Sequence, residues 1–193
     1  MTFSIWFDGG CNMPEKKTWR QRLWLRWGRY LAARHRGVEL AADCRIHPEA
    51  RINPRGGILR IGARSTVAPR AVIQGQVSIG EDSSVQVDTV LVGYGEKGSI
   101  TIGNGVRIAP QVMMIAANHG FANPDVPIHQ QGMEPAPIII EDDVWVAGKV
   151  MITAGVRIGC GCVIGAGAVV TKDLPPWSIA VGVPARVVRS RRP

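Results

Sequence analysis

The sequence lacks any apolar run approaching the roughly 18 residues that a membrane-crossing helix needs. It lacks a charged leader followed by an apolar stretch and a small-residue cleavage site, so no secretion signal is expected. Phe and Tyr are scarce, three and two in 193 residues, which argues against a core built from large rings. None of the four cysteines (Cys11, Cys44, Cys160, Cys162) forms a Cys-x-x-Cys pair. That spacing offers neither a zinc site nor a disulfide framework, and inert thiols in a reducing cytoplasm are expected. Hydrophobic residues make up 46% and charged residues 20%, which excludes both a disordered chain and a membrane chain. The length suits one domain with a small appendage.

The formal net charge of +8 is unevenly spread. Residues 15–37 hold Lys16, Lys17, Arg20, Arg22, Arg26, Arg29, Arg34 and Arg36 against the single acid Glu15, and the last eight residues add Arg186, Arg189, Arg191 and Arg192. The rest of the chain has 11 Lys/Arg against 14 Asp/Glu. A mildly acidic body with basic ends argues against a nucleic-acid surface and for local anion binding at the ends.

What is present in abundance is a repeat. Ile140, Val146, Ile152, Ile158, Ile164 and Val170 fall six residues apart, and Val144, Val150, Val156, Cys162, Ala168 and Leu174 follow each by four. The same register runs through Ile61, Val67, Ile73, Ile79, Val85 and Leu91, with Ile46 and Ile52 before it and Ile102 and Ile108 after. A period of six fits neither an α-helix nor a long alternating strand. It predicts an all-β parallel β-helix. Each six residues make a short strand and a corner, three units close a triangular coil, and the branched aliphatics point inward. His47, next to inward Ile46, is expected to point outward.

The pattern breaks at 53–60 around Gly56-Gly57, at the Gly-rich stretch 93–101, and throughout 115–137. The last is one long extruded loop, and a loop that interrupts a regular scaffold is a usual place for function. It holds His119 and His129. Imidazole is the side chain suited to proton transfer near neutral pH. From the residues alone, His119 is equally a catalytic base or a loop-packing residue.

From about Ile100 to Arg189 the chain resembles the hexapeptide-repeat acyltransferase superfamily, in its galactoside and maltose acetyltransferase branch. The resemblance rests on Ile102-Gly103-Asn104 through Ile108-Ala109-Pro110, Asn118-His119-Gly120, Glu141-Asp142-Asp143-Val144-Trp145-Val146, Ile164 through Asp173, and Val181-Gly182-Val183-Pro184-Ala185-Arg186-Val187-Val188-Arg189. Pro124-Asp125-Val126-Pro127-Ile128 and Gln131-Gly132 look closest to sugar O-acetyltransferases that decorate bacterial surface polysaccharides. The resemblance implies the left hand of the coil, acetyl-CoA as co-substrate without a metal, a homotrimer with sites between subunits, and a sugar or glycan acceptor. His119 matches the family's general base. Asp88, Glu96, Asn118 and Met133 are the implied acceptor-site positions, and His129, the other histidine of the long loop, is a further candidate for the acceptor pocket. At Asp88 the family has Asn, and an ionised Asp cannot donate the hydrogen bond that Asn gives. Trp145, Gly148 and Ala166 match the positions lining the pantetheine arm. Thr171, Lys172, Arg186 and Arg189 match those near the phosphate-bearing nucleotide end.

Thr18 to His35 reads as an amphipathic helix with Trp19, Leu23, Trp27, Tyr30 and Leu31 on one face, Trp24 at its margin, and Arg22, Arg26 and Arg29 beside it. Two readings stand: packing on the β-helix or a neighbouring subunit, and peripheral contact of 15–37 with the inner face of a membrane. The expected organisation is 1–37 basic helical segment, 38–175 β-helix with loop 115–137, and 176–193 C-terminal extension, in a cytoplasmic protein. The expected function is acetyl-CoA-dependent O-acetylation of a sugar in O-antigen, capsule or exopolysaccharide synthesis. The alternatives are N-acetylation of a nucleotide-linked amino sugar and a non-catalytic assembly scaffold. A zinc hydratase of this fold would need three converging histidines, including a pair five apart, which His35, His47, His119 and His129 do not supply.

Overall fold

The computed structural model describes residues 18–192; Cys11, Lys16, Lys17 and the rest of 1–17 lie outside the described residues, as does Pro193. The chain winds into a left-handed parallel β-helix. Two sheets have six strands and one has eight. Sheet 1 holds Val38–Leu40, Leu59–Ile61, Val77–Ile79, Ile100–Ile102, Ile138–Ile140 and Arg157–Ile158. Sheet 2 starts with Arg45–Ile46, Thr66–Val67, Ser84–Val85, Arg107–Ile108, Trp145–Val146 and Val163–Ile164. Sheet 3 holds Arg51–Asn53, Val72–Gln74, Val90–Val92, Met113–Ile115, Met151–Ile152 and Val169–Val170. Each coil takes one strand from each sheet, giving six coils.

The repeat produces this because every sixth residue lands on one of three inward columns. In sheet 2, Ile46, Val67, Val85, Ile108, Val146 and Ile164 stack in register and are almost wholly buried. Each such side chain contributes about 1.5–3 kcal/mol through burial. The columns together form one continuous core. Met114 supplies the fourth coil's inward residue in sheet 3, where its neighbours are Leu91 and Ile152. Buried corner hydroxyls tie coils together: Ser65 Oγ donates to Gly80 O at 2.6 Å, and Ser83 Oγ to Gly103 O at 2.8 Å. The corners need left-handed backbone, and non-glycine residues adopt it repeatedly. Arg64, Asp82 and Asp143 do so between sheets 1 and 2, and Arg70, Asp88, Gln111 and Lys149 between sheets 2 and 3.

The N-terminal helix spans Trp19–Ala33, with Thr18 as its cap in a reciprocal capping box with Gln21. It lies across the first coil and touches all three of its strands. Its packed face is Leu25, Gly28 and Ala32, and the aromatic arc lies on the other side. Glycine at 28 is required, because a Cβ there would stand 2.0 Å from Ile46 O. Arg29 also turns inward and donates to the carbonyl oxygens of Ala41 and Cys44. His47 is buried rather than outward, because this helix covers it: the Trp24 indole N–H donates to His47 Nε2 at 3.3 Å. No helix among the described residues is long and apolar enough to cross a membrane.

At the other end, Ser178–Val181 extends sheet 2 and Arg186–Ser190 returns antiparallel beside it. Arg191 and Arg192 close onto the Trp177 ring, and Arg191 also reaches Asp143.

Candidate active site at two edges of one sheet

The extruded loop leaves the fourth coil at the 3–1 corner and begins and ends as a two-stranded hairpin. Ala117–His119 pairs antiparallel with Met133–Pro135. His119 stands directly opposite Met133, and Asn118 opposite Glu134. His119, Asn118 and Met133 are all exposed, so the hairpin presents them to solvent. Gln131 pins the outer loop by donating from Nε2 to Asn123 O at 2.9 Å and Val126 O at 2.7 Å. His129 sits on the short 3-10 turn Ile128–Gln130 at the outside of that loop. The smaller loop 93–99 packs on the hairpin's base: a Cβ on Gly98 would come within 2.9 Å of Pro135 Cβ. That loop carries exposed Glu96. Thr171 and Lys172 lie at this same 3–1 corner two coils further on, about 10 Å along the axis at strand spacing.

The remaining candidates gather elsewhere. Asp88, Gly148 and Ala166 line the 2–3 corner. Gly167 N–H donates to Gly148 O, so Gly148 and Ala166 sit one coil apart on this edge. Trp145 projects from sheet 2 and is half exposed. It shares one column with Val163, Ile179 and Arg189, which puts Arg189 three strand spacings, roughly 14 Å, from the indole. Arg186 opens the same terminal strand. A track of small residues, an exposed ring and terminal cations therefore runs along sheet 2 and its 2–3 corner.

Sheet 3 separates the two groups within one chain. A strand of this sheet, at least about 10 Å of backbone, lies between the Asp88 corner and the His119 corner. Asp88 also has a partner that the sequence reading missed. Arg70, one coil earlier at the same corner, grips both carboxylate oxygens at 2.7 and 2.9 Å. That guanidinium holds the Asp88 carboxyl below the usual carboxylate range, so Asp88 accepts hydrogen bonds and donates none. The signal was available, since 18 residues is one full coil. A cleft of about 730 Å³ between the helix end and the first coils of sheet 3 contains none of the candidate residues. Among the described residues, no three His, Cys, Asp or Glu side chains converge to hold a metal ion.

A six-coil prism with a histidine-bearing loop at one corner defines a class, the hexapeptide β-helix proteins. No protein-family model matches the chain. It is 33% identical over 157 residues to a probable acetyltransferase of Mycobacterium tuberculosis, covering 81% of this chain and 49% of that protein. It is 43% identical over 96 residues to galactoside O-acetyltransferase of Escherichia coli, covering 47% and 44%. Among solved structures, a mutant form of AntD, an N-acyltransferase of Bacillus cereus in complex with dTDP-4-amino-4,6-dideoxyglucose and coenzyme A, superposes with a TM-score of 0.71 at 27% identity, covering 81% of this chain and 84% of that one. The chain spans about half the length of the curated relatives it matches. The chain resembles the hexapeptide-repeat acyltransferases, in the branch that includes the galactoside acetyltransferases.

Proposed function

We propose that this protein transfers an acetyl group from acetyl-CoA to a sugar hydroxyl, with His119 as general base. The observation that carries this reading is the exposed His119 on a braced hairpin, set against Met133, whose thioether packs on a sugar face. In the reaction His119 takes the acceptor hydroxyl proton as that oxygen attacks the thioester carbonyl. The new C–O bond forms, the C–S bond breaks, and the departing thiolate is protonated. Trp145, Gly148 and Ala166 flank the pantetheine arm, while Thr171, Lys172, Arg186 and Arg189 face the phosphates. Among the described residues nothing demands glycine at 148: its Cβ would meet only Pro110 O, at 3.4 Å. That open space favours an occupant from outside the chain.

The working unit of this reading is a homotrimer. Above Arg51 of the first coil, Val72, Val90, Met113, Met151 and Val169 stack as one apolar outward column on sheet 3. Sheet 1 carries Glu39, Arg60, Ser78, Thr101, Ile139 and Arg157 at the corresponding positions. An apolar outer face is suited to burial against copies of itself. Around a three-fold axis, the 2–3 corner of one copy meets the 3–1 corner of the next. Trp145, Gly148 and Asp88 then oppose a neighbour's His119 and Lys172, and the divided site closes.

His119→Ala is expected to lower acetyl transfer about 10²–10⁴-fold while acetyl-CoA binding by calorimetry is unchanged. Thiol release at the wild-type rate would sink the mechanism. A second reading, N-acetylation of a nucleotide-linked amino sugar, is favoured by the similarity to AntD over most of the chain. A panel of glycan hydroxyl acceptors and nucleotide-linked amino sugars separates the two. A scaffold without activity predicts no acetyl-CoA binding at all.

A further inference from the structure

We propose that the outer face of the N-terminal helix is a docking surface for an anionic lipid bilayer. The helix has two opposed faces. At 100° per residue, Leu25, Gly28 and Ala32 lie on one side and pack on the first coil. Trp19, Leu23, Trp27 and Tyr30 fall within an arc of about 80° on the opposite side. They are 67%, 54%, 49% and 62% exposed, and Trp27 stacks on Tyr30 with ring centroids 5.4 Å apart. This is a contiguous apolar surface that no other element among the described residues covers.

The charges beside it select the partner. Arg22 and Arg26 border the arc on one side and Arg20 on the other, while Arg34 falls inside it. All four are exposed. The helix contains no Asp or Glu to neutralise them. Tryptophan and tyrosine suit the depth where acyl chains meet headgroups, and guanidinium groups suit anionic headgroups. A helix of 15 residues, about 22 Å long, lies flat in that layer.

The position argues for a lipid surface over a second copy. The helix closes the end of the prism, so its outer face points along the axis, away from the sheet 3 face proposed for trimer contacts. In such a trimer the three aromatic faces share one direction and engage one plane together. Only that multiplicity rests on the trimer reading; a single helix carries the same chemistry.

The test is co-sedimentation of the full chain with phosphatidylcholine vesicles, with and without phosphatidylglycerol, at low and high salt. Pelleting is expected only with the anionic vesicles and is weakened by salt. Arg22→Gln/Arg26→Gln should weaken it about fivefold per arginine, and Leu23→Ser/Trp27→Ser should abolish it, with acetyl-CoA binding and assembly mass unchanged. Wild-type protein that stays in the supernatant, or variants that pellet like wild type, would overturn the proposal. So would a fall in assembly mass in the Leu23/Trp27 variant, which would assign the face to a second copy. Vesicle binding is read without acyl transfer, so its failure leaves the acetyltransferase reading standing.

Discussion

The two edges of sheet 3 are built on different rules. At the 2–3 corner every coil spends four residues between strands, from 47–50 to 165–168. At the 3–1 corner the connection runs from two residues (75–76) to 22 (116–137). On the proposed reading the uniform edge, with Gly148 and Ala166, serves the arm of a co-substrate common to many acyltransferases. The irregular edge, with Glu96, His119 and Met133, then faces an acceptor that differs from one enzyme to the next. A β-helix permits this division because backbone bonding passes from coil to coil within the sheets, so one corner can bulge without disturbing the core.

The largest effect should come from breaking the face that separates the edges. Met113→Glu/Met151→Glu places carboxylates in the outward column of sheet 3 while leaving Met114 and Ile152 in the core. The expected result is loss of the trimer to monomer by light scattering, with strand content kept and acetyl transfer lost. Unchanged mass with full activity would show that the two edges serve a site within one chain. Gly148→Leu attacks the uniform edge alone. Coenzyme binding should weaken about tenfold or more, about 1.4 kcal/mol, with little change in melting temperature because the new side chain enters open space. An unchanged dissociation constant would remove Gly148 from the coenzyme track.

The regular parts of the molecule were legible in the sequence, and the places where one element lies over another were not. The inward columns follow directly from the six-residue period, since Ile46, Ile61 and Ile140 each repeat the same environment. The helix was legible as a helix, but the side that packs on the coil was not. The packed side uses Gly28 and Ala32, small residues chosen for close approach, which a hydrophobicity pattern scores as neutral. His47 was expected outward from strand alternation, which holds only for a coil that nothing covers. Asp88 looked like an isolated acceptor contact until Arg70 was placed one coil beneath it. The division of the candidate site between two edges was implicit in the 18-residue coil; in the proposed trimer its closure depends on a neighbouring chain, which no single sequence position encodes.

His47 sets the smallest effect and joins the helix to the first coil. Its ring meets Trp24 edge-on, with centroids 6.3 Å apart, and accepts the indole N–H. Burial pushes its imidazole below the ordinary value of 6.5, with Glu49 opposing the shift and Arg70 adding to it. The unfolded chain therefore takes up the proton before the folded one. This contribution to stability is fully present above the ordinary histidine value and is lost as pH falls from there through the lowered folded value. His47→Gln keeps an acceptor for the indole and removes the titration. Wild-type protein should lose more melting temperature between about pH 7.5 and about pH 5 than the His47→Gln protein does. Indole fluorescence should report loosening of the helix over the same range. Equal pH dependence in the two proteins would show that protonation of His47 is not what uncouples the helix from the coil.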